Sequence, residues 1–335
     1  MIKGVSALES LSLLAPLCRP QKVAPADGRY RVSDDLTCVH DLVSGKVGCF
    51  LYHGDCKELL DALPDESIHL IVTSPPYNIG KKYERKRDLD EYLRLQEDVI
   101  TRCFRVLHKK GSICWQVGNH IVGRSQILPL DIPLHRIFSS LGMQMRNRIV
   151  WRFEHGLHCQ YRFSGRYEVI AWYTKSDAYQ FDVDPIRVRQ KYPGKKYFKG
   201  PKAGKYSCNP LGKNPGDVWN IPNVKHNHRE KTIHPCQFPI ELVERLVLST
   251  TRPGQIVLDP FAGVSSSLCA ALLNGRKGCG AELVKEYVDV SRTRIEQALQ
   301  GCLPVRPRTL PVYEPNGEIV ARVPEEWENP MPLWK

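Results

Sequence analysis

Residues 255–282 read QIVLDPFAGVSSSLCAALLNGRKGCGAE. The β-branched run Gln255–Leu258 predicts a strand, the apolar spacing over Ser265–Leu273 a helix, and Gly278–Glu282 a second strand. Between the first strand and the helix lies Asp259-Pro260-Phe261-Ala262-Gly263, where a glycine lets the backbone turn tightly beside a ligand. Glu282 ends the second strand nineteen residues after Gly263, where an acid can accept hydrogen bonds from both hydroxyls of a ribose. The unit implies an α/β sheet that binds a nucleoside at the carboxyl ends of its strands. A phosphate-bearing cofactor is disfavoured, because the loop runs on as Val264-Ser265-Ser266-Ser267 and lacks G-x-G-x-x-G. Taken alone, the glycine is equally compatible with simple turn chemistry.

The same alternation extends outward. Glu58–Ala62 reads as a short helix and Ile68–Val72 as a buried strand ending at Thr73-Ser74-Pro75-Pro76-Tyr77. Spacing through Leu93, Val99, Cys103 and Val106 predicts a helix, Lys109-Lys110-Gly111 a turn, and Ser112–Val117 a strand. A helix over Pro133–Ser140 and strands over Arg148–Phe153 and Glu168–Tyr173 follow; Pro239–Leu248 and Tyr287–Leu299 add helices. The expected organisation is an extension of uncertain structure at 1–45, one half of an α/β domain at 46–184, and a basic insertion at 185–231. The second half occupies 232–301, and 302–335 is a proline-rich tail wrapped on the surface.

Of the 335 residues, 42% are hydrophobic and 25% charged, a composition that argues against disorder or a coiled coil. No apolar run approaches the roughly 20 residues a membrane helix needs, so no membrane partner is expected and the location is expected to be cytoplasmic. Leu11–Leu17 is short and broken by Pro16, unlike a signal peptide. The twelve cysteines are scattered without a C-x-x-C pair, which points to reduced, mostly buried thiols. His226 and His228 lack partners at ligand spacing, and no metal is expected.

The charge is local. Residues 185–231 hold twelve Lys or Arg against Asp217 and Glu230, a net +10 of the chain's +12. Tyr192, Tyr197, Phe198, Tyr206 and Trp219 interleave with the cations, a mixture suited to phosphates and stacked bases. Arg187, Arg189, Lys195, Lys196, Lys199, Lys202 and Lys205 are candidate contacts to a polyanion with phosphates and bases, which the resemblance given below makes double-stranded DNA. Lys81 and Lys82, with Arg85, Lys86 and Arg87, form either a flap over DNA or a solvated loop.

In Ser74-Pro75-Pro76-Tyr77 two prolines fix the backbone and withhold two N–H donors, so the loop presents hydrogen-bond acceptors. The exocyclic amine of a nucleobase is a poor nucleophile because its lone pair is delocalised into the ring. Acceptors on both of its hydrogens, here Ser74 Oγ and the Pro75 carbonyl, draw the nitrogen toward a tetrahedral geometry. Tyr77 would stack on a base that has left the duplex.

Together these motifs resemble the amino-methyltransferases that move methyl from S-adenosylmethionine to an exocyclic amine of DNA. Thr73–Tyr77 resembles the family's catalytic motif and Asp259–Gly263 its cofactor loop; the catalytic motif comes first, the permuted order of the beta class. The resemblance spans about residues 50–300. It implies a class I, Rossmann-like fold with a mostly parallel seven-stranded sheet, helices on both faces and an inserted DNA-recognition segment. It assigns Gly54-Asp55 to the cofactor's adenine, His234-Pro235, Pro239 and Leu242 to its methionine end, and Asp259, Phe261, Gly263, Ser265 and Glu282 to the rest of the cofactor site. Arg166-Tyr167-Glu168 through Lys175 is similar to the strand preceding the recognition segment. Ser265 stands where the family often has a second glycine, and still offers N–H and hydroxyl donors at a helix start.

Ser74 rather than aspartate at the head of the motif is associated in the family with cytosine N4, with adenine N6 as the alternative. The implied role is site-specific methylation in restriction–modification or epigenetic marking. A cognate restriction endonuclease and a second copy of the chain are further candidate partners. Carbon-5 methylation would need a cysteine nucleophile; Cys236 follows Pro235 but sits beside His234 in the cofactor half, far from the catalytic strand, and reads as incidental. Protein-glutamine and RNA methyltransferases usually place asparagine or aspartate at the head of the motif and the cofactor loop first. A catalytically inactive DNA-binding regulator is disfavoured by the joint presence of Ser74, Tyr77, Asp259 and Glu282.

Overall fold

β-Branched runs pair side by side while the helices between them cover both faces of one sheet in the computed structural model, which describes residues 29–78, 87–122, 126–156, 158–225, 227–308, 310 and 312. The strands are β1 (Tyr30–Ser33), β2 (Cys49–His53), β3 (Ile68–Thr73), β4 (Leu107–Val117), β5 (Asn119–Val122), β6 (Gln126–Pro129), β7 (Gln144–Arg152), β8 (Tyr167–Thr174), β9 (Val218–Asn220), β10 (Ile256–Asp259) and β11 (Lys277–Glu282). The α-helices are α1 (Val39–Val43), α2 (Cys56–Ala62), α3 (Leu89–Val106), α4 (Asp131–Ser140), α5 (Ile240–Thr250), α6 (Ser266–Leu273) and α7 (Lys285–Leu299). Among the described residues the main sheet has the order β1-β2-β11-β10-β3-β4-β8-β7-β9. It is parallel from β1 through β4; β8 runs antiparallel to β4 and β7.

Alternating side chains build two cores. Phe50, Ile71, Ile113 and Trp115 point to the face covered by α1 to α4, where Leu42, Leu59, Ile100 and Phe138 meet them. Leu51, Val72, Cys114 and Val257 point to the opposite face, under α5, α6 and α7. The α3 helix shows the local logic. Asp88 caps it by accepting from Glu91 N at 2.8 Å, and Tyr92, Gln96, Val99, Ile100, Cys103 and Val106 turn one stripe inward at three- and four-residue spacing.

Three details correct the expectations. The main sheet has nine strands rather than seven: β1 extends it beyond β2, and β9, from within the basic insertion, pairs in parallel with β7. The Lys109-Lys110-Gly111 turn is a bulge inside β4, which begins at Leu107; the register jumps from Ile68↔Leu107 to Leu70↔Ser112, so the extra residues loop out while pairing continues. The segment after α7 does more than wrap a surface: Leu303 and Val305 pack on the second core and Arg306 is buried. No helix among the described residues is long and apolar enough to cross a membrane.

Candidate active site

The order β2-β11-β10-β3 sets Gly54, Glu282, Asp259 and Ser74 in a row at the carboxyl ends of neighbouring strands, where open α/β sheets bind ligands. They open into one cavity of about 390 Å³, whose wall includes Asp55, Ser74, Pro75, Pro76, Tyr77, His234, Asp259, Phe261, Gly263 and Glu282. The cleft therefore joins Tyr77 and Phe261, 184 positions apart in the sequence.

Asp259 ties the two motifs together. Its buried carboxylate accepts Thr73 Oγ1 and Ser267 Oγ, each at 2.6 Å, and Phe261 N at 3.1 Å. Burial raises its pKa to about 6, against the opposing hydrogen bonds of Ser267 and Thr73. Glu282 accepts Gly263 N and Val284 N, each at 2.8 Å, and burial raises it to about 7. Gly263 has φ +54°, a backbone that favours glycine, and a Cβ there would crowd His234 Nε2 at 3.2 Å. Gly54 is constrained by its neighbour alone, since a Cβ would fall 2.3 Å from the Tyr52 ring. Asp55 caps α2 through Lys57 N at 2.9 Å and keeps its side chain on the cavity wall. His234 is held neutral: burial, with Lys231 next in effect, lowers its pKa to about 4.

Around the acceptor loop, Ser74 Oγ lies 2.9 Å from Tyr77 Oη. The Tyr77 hydroxyl donates to Gln116 Oε1 and, at 3.3 Å, to Glu168 Oε2, while Gln116 Nε2 donates to the same carboxylate oxygen. Beyond Ser74 and Tyr77 lies a smaller recess of about 80 Å³, walled by Gln116, Trp151, Phe153, Glu168, Lys225, Pro235, Cys236 and Phe238 among others. Lys225 Nζ donates to the Pro235 carbonyl at 2.9 Å.

The structure revises several assignments. Ser265 is fully buried in a left-handed conformation; its N–H bonds Ala262 O at 2.7 Å, its hydroxyl finds no partner, and it does not line the cavity. Pro235 faces the smaller recess rather than the main cavity. Cys236, far from the catalytic strand only along the chain, borders both spaces beside Ser74 and Tyr77. Arg187 is engaged internally, with Asp184 at 2.7 Å and the Gly212 carbonyl at 3.1 Å. Lys81 and Lys82 lie outside the described residues; Asn78 and Arg87, on either side of that stretch, clasp each other through Asn78 Nδ2 to Arg87 O at 2.8 Å and Arg87 N to Asn78 Oδ1 at 2.6 Å.

The basic insertion presents the remaining cations together. Tyr197 N bonds Lys205 O at 3.0 Å and Ser207 N bonds Lys195 O at 2.8 Å, folding 195–207 back on itself as an irregular hairpin. Lys195, Lys196, Lys199, Lys202 and Lys205 are exposed on it, as is Arg189 nearby, and Phe198 and Tyr206 stand out at 88% and 67% exposure. Lys196 Nζ sits 5.1 Å from the Tyr206 ring centre, so cation and flat ring form one surface.

Three residues were missed in the sequence. Gln116 and Glu168 sit in predicted strands whose apolar neighbours give no reason to single them out. Gln96 lies on the inward stripe of α3, only 4% exposed, and its Oε1 has no partner on the cavity wall. A polar residue inside an apolar helical stripe was the available clue.

Residues 68–293 match the model of a family described as DNA methylase, covering N6 and N4 methyltransferases. The type II methyltransferase M.BglII of Bacillus subtilis is 53% identical over 241 residues, 72% of this chain and 67% of that protein. The DNA adenine methyltransferase YhdJ of Escherichia coli K12 is 33% identical over 260 residues, 74% of this chain and 83% of that protein. A Thermus thermophilus protein described as a DNA modification methylase, solved with S-adenosyl-L-methionine, aligns with a TM-score of 0.54 at 27% identity, over 75% of this chain and 94% of its own.

Proposed function

The chain belongs to the N6/N4 DNA methylase family, and from that membership we propose that it methylates the N4 amine of cytosine in double-stranded DNA, using S-adenosylmethionine. The carrying observation is the 2.6 Å bond from Thr73 Oγ1 to Asp259, which anchors the acceptor loop to the cofactor loop inside one cavity. The residues present fit the cofactor. The cavity is of the size that encloses a nucleoside-like ligand, Glu282 keeps lone pairs for ribose hydroxyls beyond those used by Gly263 and Val284, and Gln96 Oε1 is an unused acceptor in the wall. S-adenosylmethionine, when bound, supplies a methyl group made electrophilic by its sulfonium. Asp55 serves the adenine, Glu282 the ribose, and the uncharged His234 borders the cationic end without repelling it.

Ser74 Oγ and the Pro75 carbonyl accept from the target amine, and the base enters the recess shared by Ser74, Tyr77 and Glu168 after flipping out of the duplex. Alignment of the two reactants in one cleft supplies much of the acceleration. Two features favour cytosine: the hydroxyl of Ser74 at the motif head, and the Lys225 ammonium on the recess wall, a donor for the ring carbonyl that cytosine has and adenine lacks. A second reading, adenine N6, is favoured by the E. coli relative described as a DNA adenine methyltransferase. The 195–207 hairpin contacts phosphates and bases. Residues 46–184 form the catalytic half, 185–231 the recognition insertion and 232–301 the cofactor half. Relatives named type II methyltransferases favour protection of a sequence that a cognate endonuclease cuts.

The test is Ser74→Ala. Transfer of labelled methyl to DNA should fall by about 10²-fold or more while the cofactor's dissociation constant is unchanged. Full activity in this variant contradicts the assignment.

A further inference from the structure

We propose that Ser74, Tyr77 and Glu168 form a proton relay that carries the proton given up by the target amine to a half-buried carboxylate. The inference rests on the reading of this cavity as an amine-methylation site. It follows from counting hydrogens. A phenol has one, and that of Tyr77 is directed at Gln116 Oε1 and Glu168 Oε2. The 2.9 Å contact between Ser74 and Tyr77 must then use the serine's hydrogen, leaving the Ser74 lone pairs to receive the amine. Gln116 fixes the direction, because its Nε2 donates to Glu168 Oε2 and so turns Oε1 toward the phenol. The donors run from Ser74 to Tyr77, whose single hydrogen is shared between Gln116, its nearer acceptor, and Glu168 at 3.3 Å.

Glu168 suits the end of such a chain. It projects from β8 into the recess, and its hydrogen-bond partners, Tyr77 from the β3 loop and Gln116 from β4, are both neutral. Lys225 and Cys236, from the segment before α5, complete the titratable groups facing it among the described residues. Burial, opposed by these hydrogen bonds and by Lys225, holds its carboxyl above the ordinary carboxylate range. Burial also raises the Tyr77 phenol well above its usual value, so the proton passes in a concerted shift rather than through a tyrosinate.

The balance is simple. The amine nitrogen gains a bond to the methyl carbon, and the electron pair of the broken carbon–sulfur bond leaves on sulfur. One N–H bond releases its proton and returns its pair to nitrogen. That proton goes to Ser74 Oγ as the serine's moves to Tyr77 Oη and the tyrosine's to Glu168 Oε2, converting a carboxylate to a carboxylic acid. Glu168 acts through its neighbours and is a positioning residue for the proton.

The experiment measures single-turnover methyl transfer against pH, using amplified bacterial genomic DNA free of methyl marks. The wild-type rate should rise with pH through one ionisation and level off. Glu168→Gln should lower the plateau by about 10²-fold and abolish the rise, and Tyr77→Phe, which keeps the ring, should do the same. Cofactor affinity should stay within about twofold of wild type in each. A Glu168→Gln enzyme with wild-type rate, or a slowed one that keeps the rise, overturns the relay. Should Glu168→Gln lose cofactor binding through misfolding, Tyr77→Phe decides by the same criteria. A wild-type rate independent of pH sinks the relay alone, whereas no transfer by the wild-type chain removes the methylation reading with it.

Discussion

Glu282 holds the Asp259–Gly263 loop and faces the cavity with the same carboxylate. Each oxygen already accepts one backbone N–H, and burial keeps the group near its midpoint at about pH 7. Ribose hydroxyls donate well only to the ionised group, so binding should lower its pKa and release a proton. Cofactor affinity should therefore strengthen as pH rises from about 6 to about 8, read by titration calorimetry, and Glu282→Gln should weaken binding and flatten that dependence. Gly263→Ala should reduce affinity by about tenfold or more, because the left-handed turn and His234 at 3.2 Å both resist a side chain; unchanged affinity would show that the loop adapts. Gly263 and Glu282 were legible because their spacing reflects strand–loop–strand geometry. Ser265 misled because its neighbours look like a helix start, whereas a left-handed backbone turns it inward. Cys236 misled because separation along the chain says nothing of separation in space.

At the scale of elements, legibility followed burial. Buried strands such as β3 and β10, and the amphipathic α3 and α7, announced themselves through their apolar periodicity. The edge strands β1 (YRVS) and β9 (VWN) are short and mix polar with apolar residues, lacking the apolar run that marks β10, and owe their pairing to the sheet they join. The β5–β6 hairpin was missed for the same reason. The 195–207 hairpin was legible only as charge, and its prediction belongs to charge. Replacing Lys195, Lys196, Lys199 and Lys202 with alanine should weaken DNA binding and reduce the salt slope of log affinity by about 3 to 4, with cofactor binding unchanged. A slope equal to wild type would place the phosphates elsewhere.

Over the whole molecule, permuted motifs meet because sheet order rather than chain order decides who is neighbour to whom: β10 pairs with β3 across 187 residues. The C-terminal segment closes this arrangement. Arg306 bonds Glu241 at 2.7 Å, its N–H bonds Glu230 at 2.9 Å, and Glu230 also accepts the first N–H of α5, so the end of the basic insertion, the helix and the tail share one buried junction. Proline content alone hid this role. Arg306→Ala should leave the Glu241 carboxylate buried with a partner lost and destabilise the fold by about 3 kcal/mol or more, read from urea unfolding; a loss below about 1 kcal/mol would contradict the junction.

On the proposed reading this cleft places a flipped cytosine amine against a methyl donor. Mass spectrometry of nucleosides from unmodified DNA, incubated with the protein and isotopically labelled S-adenosylmethionine, tests it directly. Labelled N4-methylcytosine is the predicted product. Label found only in N6-methyladenine would contradict the choice of base, and label on carbon 5 of cytosine, or none in DNA, would contradict the mechanism itself.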